Sequence, residues 1–309
     1  MSGPVTAADA GAEVACSAPG AGAVEVVDSR PGQVGSYPVR RALPRRGRRT
    51  VGAWCFADHM GPSPVTPDRG LDIAPHPHIG LQTVTWLFEG EAVHRDSLGT
   101  EQVIIPGQLN LMTAGHGIAH SEEGTGYYRG LLHGMQLWVA QLSATKDGRP
   151  AFEHHEELPG LELGAAVVTV LVGELGGAAS PARHDSDLVG ADLELRPGRA
   201  AVPVRPDFEH ALVVCTGAVT TEGRTVGPGQ LAYLGPGRDE LGLSAAVPAR
   251  ALLLGGAPFD EPLLMWWNYV ARSRDEITQA HAEWISGAER FGQVDSVLPR
   301  MVVDSPPWS

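Results

Sequence analysis

The chain has 309 residues, a formal net charge of -13 and 43% hydrophobic residues. That composition supports a sizeable core. The acidic balance excludes general nucleic-acid binding and docking on an anionic membrane, because both need a basic face. The high counts of Gly (39) and Pro (25) favour turns and short strands over long helices.

Residues 1–23 are rich in Ala, Gly and Ser and lack both a basic leader and a continuous apolar stretch. They read as a disordered arm rather than a signal peptide. No apolar run is long enough to cross a bilayer. Three widely spaced cysteines (Cys16, Cys55, Cys215) do not make a disulfide framework and fit a reducing cytoplasm.

From Val24 the pattern is β-like: VEVV, a turn predicted at SRPGQVG, then SYPV. Six arginines follow within Arg40–Arg49. With no aromatics among them, they read as a solvated turn beside a strand rather than a nucleic-acid patch. TVTWLFEGEAV predicts two strands joined at Glu89-Gly90, and EQVIIPGQLNLM repeats the form around Pro-Gly. GLLHGMQLWVAQL is a further strand.

A second block begins near Leu161, and here the chain repeats itself. VIIPGQL (103–109) resembles TVGPGQL (225–231), and WLFEGEAV resembles LVVCTGAV with Gly90 matching Gly217. The offset of about 120 residues is the size of a domain and indicates two copies of one β-unit. A single helix is predicted after the capping box Ser273-Arg-Asp-Glu276, with Ile277, Ala280, His281 and Trp284 on its apolar stripe and Gly287 at its end. The expected organisation is a first unit at 24–160, a second at 161–287 closed by that helix, and an extended tail at 288–309.

The chemistry concentrates in two short motifs. In APHPHIG, His76 and His78 are two residues apart, so on a strand they share a face, and Pro75 and Pro77 stiffen the backbone. In AGHGIAHSE, His120 and Glu122 form a second such pair. Three imidazoles and one carboxylate suit one divalent first-row metal with open positions, and iron is the expected ion. Positions that match these four in the second copy are Pro203, Arg205, Gly242 and Ser244. One metal per chain is therefore expected, in the first unit. GHGIAH is not a dinucleotide motif, because no helix pattern or βαβ unit surrounds it.

HPHIGLQTVTWLFEGEAVHRDSLG followed by PGQLNLMTAGHGIAHSEE resembles the pirin signature, a bicupin branch of the cupin superfamily. The resemblance runs over roughly residues 35 to 290. It implies an all-β fold of two stacked antiparallel β-barrels, with metal, usually iron, only in the N-terminal one. His76, His78, His120 and Glu122 are the ligands it implies. Gln82 stands where pirins usually have Glu, and Gln108 replaces a frequent Asp. Some pirins resemble quercetin 2,3-dioxygenase in activity, with Glu122 as the group that takes the flavonol proton. Trp86, Leu111, Met112 and His116 are candidate lining residues for an aromatic substrate. Other pirins act as redox-dependent regulators that bind a transcription factor or a metabolic enzyme. The expected state is a cytoplasmic monomer with a small aromatic substrate or a protein partner.

Overall fold

The computed structural model describes residues 24–35, 37–66 and 70–309. The expected arm at 1–23 and Cys16 lie outside them. Each half pairs one large antiparallel sheet with one four-stranded sheet, and among the described residues the fold is all-β apart from one helix and a short 3-10 turn. In the first half the large sheet runs in the order Ala151–His155, Leu109–Thr113, Leu81–Glu89, Leu131–Ala140, Trp54–Pro64, Tyr37–Leu43, Arg30–Val34. Its small sheet runs Ile73–His78, Ile118–Glu123, Ala92–Asp96, Glu101–Ile104.

The second half repeats this order strand for strand. Val24–Asp28, Gln230–Leu234, Glu209–Thr216, Ala249–Gly256, Leu188–Leu195, Ala166–Leu175 and Gly160–Leu163 form the large sheet, with Ala178–Ala179 beside Ala166–Leu175. Gly198–Pro203, Glu240–Ala245, Val219–Thr221 and Arg224–Val226 form the small one. The repeat seen in sequence is thus a repeat of topology. Each strand after a Gly turn, at Gly90 and Gly217, crosses to the small sheet, and both glycines take positive φ close to a neighbouring carbonyl.

Two elements sit away from their sequence neighbours. Val24–Asp28 pairs with Gln230–Leu234 at the edge of the second half's sheet. The helix Arg274–Ser286 forms as its capping box predicts, with Ser273 Oγ accepting from Glu276 N–H and Gly287 left-handed at its end. Its apolar side clusters with Ile79 and Ala119 of the first half. The turn predicted at SRPGQVG is instead the strand Arg30–Val34. It is an edge strand, where the missing N–H of Pro31 does no harm.

The halves share a core. Trp54, Val84 and Trp86 from one side meet Leu171, Leu188, Val213 and Leu252 from the other. Trp54 Nε1 donates to the carbonyls of Val189 (3.0 Å) and Gly255 (3.2 Å). Trp86 Nε1 donates to Asp192 (2.9 Å), which also holds Arg250. The arginine cluster joins the halves rather than standing free. Arg48 lies over the Tyr233 ring, and Arg45 donates to the Asp28 carbonyl. Arg41 grips Asp58 through two bonds of 2.8 and 2.7 Å.

The strand Leu81–Glu89 is buried on both faces as a result. One face, with Val84 and Trp86, looks toward the second half. The other carries Thr85 toward the interior of the first half, where it reaches Glu122.

Candidate metal centre

The strands Ile73–His78 and Ile118–Glu123 pair antiparallel, with His120 opposite His76 and Ile118 opposite His78. That register places both motifs on one inward face. His76, His78 and His120 each offer a ring nitrogen, and these atoms all lie within 4.8 Å of one another. Their ring centroids are 4.4 to 4.9 Å apart. All three side chains are buried, at 3% exposure or less.

Hydrogen bonds fix the state of each ring. His76 Nδ1 is 2.9 Å from the Ala74 carbonyl, and His78 Nδ1 is 2.9 Å from the Asn268 carbonyl. A carbonyl only accepts, so both Nδ1 atoms carry the proton and both Nε2 atoms present lone pairs. For His120 the partner is another imidazole: its Nδ1 is 3.4 Å from His94 Nδ1, and His94 Nε2 is 3.1 Å from Asp96 Oδ2. Burial alone raises the Asp96 pKa, but bonds from His94, Leu98 and Thr100 outweigh it and hold the group below its usual value. The carboxylate accepts from His94 Nε2–H, and His94 Nδ1 then accepts from His120. His120 Nε2 is also left as a lone pair.

The outcome is three neutral imidazoles with inward lone pairs. Burial lowers the pKa of His76 to about 3 and puts those of His78 and His120 well below the ordinary value. His78 Nε2 and His120 Nε2 stand only 3.0 Å apart. Neither carries a proton to share, so the two lone pairs face each other. A cation between them turns that repulsion into coordination. The donor set therefore fits a metal ion on its own chemistry.

Glu122 lies on the same strand face, and its carboxyl is buried. It accepts from Thr85 Oγ1 at 3.3 Å but is not among the donors that lie within 4.8 Å of one another. Burial raises its pKa. Met112 is in the cluster with Trp138, whose ring meets His78 edge-on at 5.2 Å. Trp86 and Leu111 are not gathered at the imidazoles: both belong to the core shared with the second half. His116 is exposed, with Nδ1 on the Gly148 carbonyl (3.0 Å) and its own carbonyl held by Arg290. It lines a separate polar cleft of about 500 Å³ with Lys146 and Glu276.

Sequence reasoning gives His94, in VHRDS, a structural role and passes over Asp96 and Thr85. The signal for His94 and Asp96 was present, because HRD is a third i, i+2 pair on a strand. His94 stacks on Phe152 at 4.5 Å and is buried. The Asn268 carbonyl had no signal at all, being contributed 190 residues beyond His78. Gln82 donates to Thr113 Oγ1 (3.0 Å) and to the Arg183 carbonyl (3.4 Å). The second bond needs an amide, since a carboxylate cannot donate.

A doubled antiparallel scaffold with, among the described residues, one convergent centre of three histidines in its first half defines a bicupin built to hold a metal ion. Two family models match the chain: Pirin over residues 36–139 and the Pirin C-terminal cupin domain over 190–292. The chain belongs to the pirin family. A Pseudomonas aeruginosa protein provisionally named a quercetin 2,3-dioxygenase is 47% identical over 276 residues, 89% of this chain and 87% of its own. A pirin-like protein of Caulobacter vibrioides is 41% identical over 277 residues, 87% of this chain and 96% of its own. A crystal structure of quercetin 2,3-dioxygenase from Acinetobacter baumannii matches with a TM-score of 0.89 at 38% identity, covering 93% of this chain and 96% of that one.

Proposed function

We propose that the chain is an iron-dependent dioxygenase of the quercetin 2,3-dioxygenase type, opening a flavonol or a similar hydroxylated aromatic with O2. The observation that carries this reading is the inward convergence of three neutral imidazoles, with relatives named for that activity as support. His76, His78 and His120 would hold the ion through Nε2, with Glu122 as the fourth ligand.

When bound, the ion supplies Lewis acidity toward the substrate's hydroxyl and a redox partner for O2. The protein does the rest. The Ala74 and Asn268 carbonyls and His94 keep the imidazoles in the ligating tautomer. Glu122, kept from water and steadied by Thr85, takes the hydroxyl proton on a carboxylate oxygen. Met112 and Trp138 give the site an apolar wall.

The near-complete burial of the histidines favours a second reading. A closed site suits an ion whose oxidation state alters a surface rather than turns over substrate. His78 is tied to Asn268, and Pro75 O accepts from Met301 N at 2.8 Å, so the carboxyl-terminal segment is fastened to the metal strand. In that reading the chain is a regulator of a protein partner. Loading Fe(II) anaerobically and adding quercetin separates the two. Loss of flavonol absorbance with O2 uptake, abolished by His78→Ala, supports the enzyme. Absence of turnover in a fully loaded protein overturns it.

A further inference from the structure

The second half keeps the scaffold of the metal half but not its ligands, and its corresponding end is not solid. A cavity of about 440 Å³ opens there, with Pro203 and Arg205 on its lining. The pairing register sets Pro203, rather than Arg205, in the place of His78: Ala201 and Pro203 stand opposite Gly242 and Glu240 as His76 and His78 stand opposite His120 and Ile118. His210, on the strand Glu209–Thr216, also lines it. We propose that this cavity is a binding site for a small neutral phenol, whose hydroxyl is received by His210.

His210 is 1% exposed, and both ring nitrogens are buried without a hydrogen-bond partner among the described residues. A buried polar group left unpaired is destabilising, and a ligand that pairs it recovers that loss. The ring's place is built in. Gly255 lies opposite on the neighbouring strand, and a Cβ there would stand 2.6 Å from His210 Cδ2 and 3.1 Å from Nε2. Phe208, two residues earlier on the same face, tilts against it at 6.2 Å.

The chemistry of the lining selects the ligand. Burial keeps the imidazole neutral, lowering its pKa to about 4. It therefore offers one N–H and one lone pair. A hydroxyl, which donates and accepts through one oxygen, can answer either nitrogen. Leu175, Leu188, Val189 and Phe208 form apolar walls that suit an aromatic ring. An anion is disfavoured. Arg205 at the rim already holds Asp207 at 2.5 Å and Asp187 at 3.4 Å, and Glu174 adds a further negative group. A metal ion is disfavoured too: among the described residues, the only imidazole on the lining besides His210 is that of the exposed His184, whose Nδ1 already meets the Ser186 carbonyl at 3.1 Å, and the Arg205 guanidinium stands beside them.

The test uses the full metal-loaded chain and 4-methylphenol, with toluene and benzoate as comparators. Calorimetry is combined with imidazole 15N–1H spectra. The expected result is saturable one-to-one binding of the phenol below about 1 mM, with shifts in the His210 ring signals. Toluene should bind at least about tenfold more weakly, and benzoate no better than toluene. His210→Phe should lose the phenol by at least about tenfold, while His78→Ala retains it. If His210→Phe does not fold, Gly255→Ala, which displaces the imidazole, should lose the phenol to the same extent. No saturable binding, unmoved His210 signals, tighter benzoate, or loss on His78→Ala instead would each overturn the assignment.

Discussion

Replacing His94 by Phe keeps a ring against Phe152 but removes the acceptor for His120 Nδ1. His120 then has a buried N–H with no partner, or turns over to the tautomer that cannot ligate. Leaving such a donor unpaired costs about 1–3 kcal/mol. Realised in the metal-bound state, that weakens the ion by about 5- to 150-fold, in line with the 10- to 100-fold typical of groups that orient metal-bound histidines. Asp96→Asn should act in the same direction by removing the carboxylate that fixes the His94 tautomer. Competition of Co(II) or Zn(II) against a chromophoric chelator measures the affinity, and the Co(II) absorption bands report the ligand set. Unfolding of the metal-free variants controls for lost stability. Affinity within twofold of the parent for both variants would refute the role assigned to His94 and Asp96.

Acid should destabilise the metal-free chain. His59 and His76 are lowered by burial to about 3, and His78 and His120 lie well below their ordinary value. Their contribution is intact above the unfolded pKa of about 6.5, and is lost as pH falls from there toward the folded values, because only the unfolded chain takes up protons. Between pH 6 and 5 each costs about 1 kcal/mol, on the order of 4 kcal/mol in all; denaturant midpoints across that range check this, and a flat profile contradicts it. Trp54→Ala should cost about 3–5 kcal/mol, because its buried indole joins the halves. Calorimetry should show the single transition broaden or split, and an unchanged melt would show that the seam does not couple them. Gly190→Ala would place a Cβ 2.7 Å from Trp54 Cζ2 and should lower stability by about 1–3 kcal/mol with metal binding unaltered.

The doubled β-unit could be read from sequence because turn chemistry repeats where backbone geometry repeats. Gly90 and Gly217, and the two Pro-Gly-Gln-Leu stretches, mark the same joints in both halves. His76, His78 and His120 were legible for the same reason: a strand fixes which side chains share a face. Their fourth companion was not so simply placed, since a shift in register between His120 and Glu122 intervenes. Trp86 and Leu111 looked like pocket residues because alternation marks a buried face without saying which of two buried faces it is. Here a sheet covered on both sides makes the difference. The Arg30–Val34 strand hid behind Pro31 and Gly32, whose turn character the sheet edge tolerates. Asn268, Met301 and the helix reach the metal strand by long-range packing that no local pattern encodes.

The claim beneath all of this is that His76, His78, His120 and Glu122 close on a single ion. Metal analysis of the apo-chain after saturation with Fe(II) and removal of excess ion tests it most directly. About one ion per chain is predicted for the parent and less than about one-tenth for His78→Ala, with Glu122→Ala in between. A parent that retains no metal, or a His78→Ala chain that retains it fully, would contradict the account.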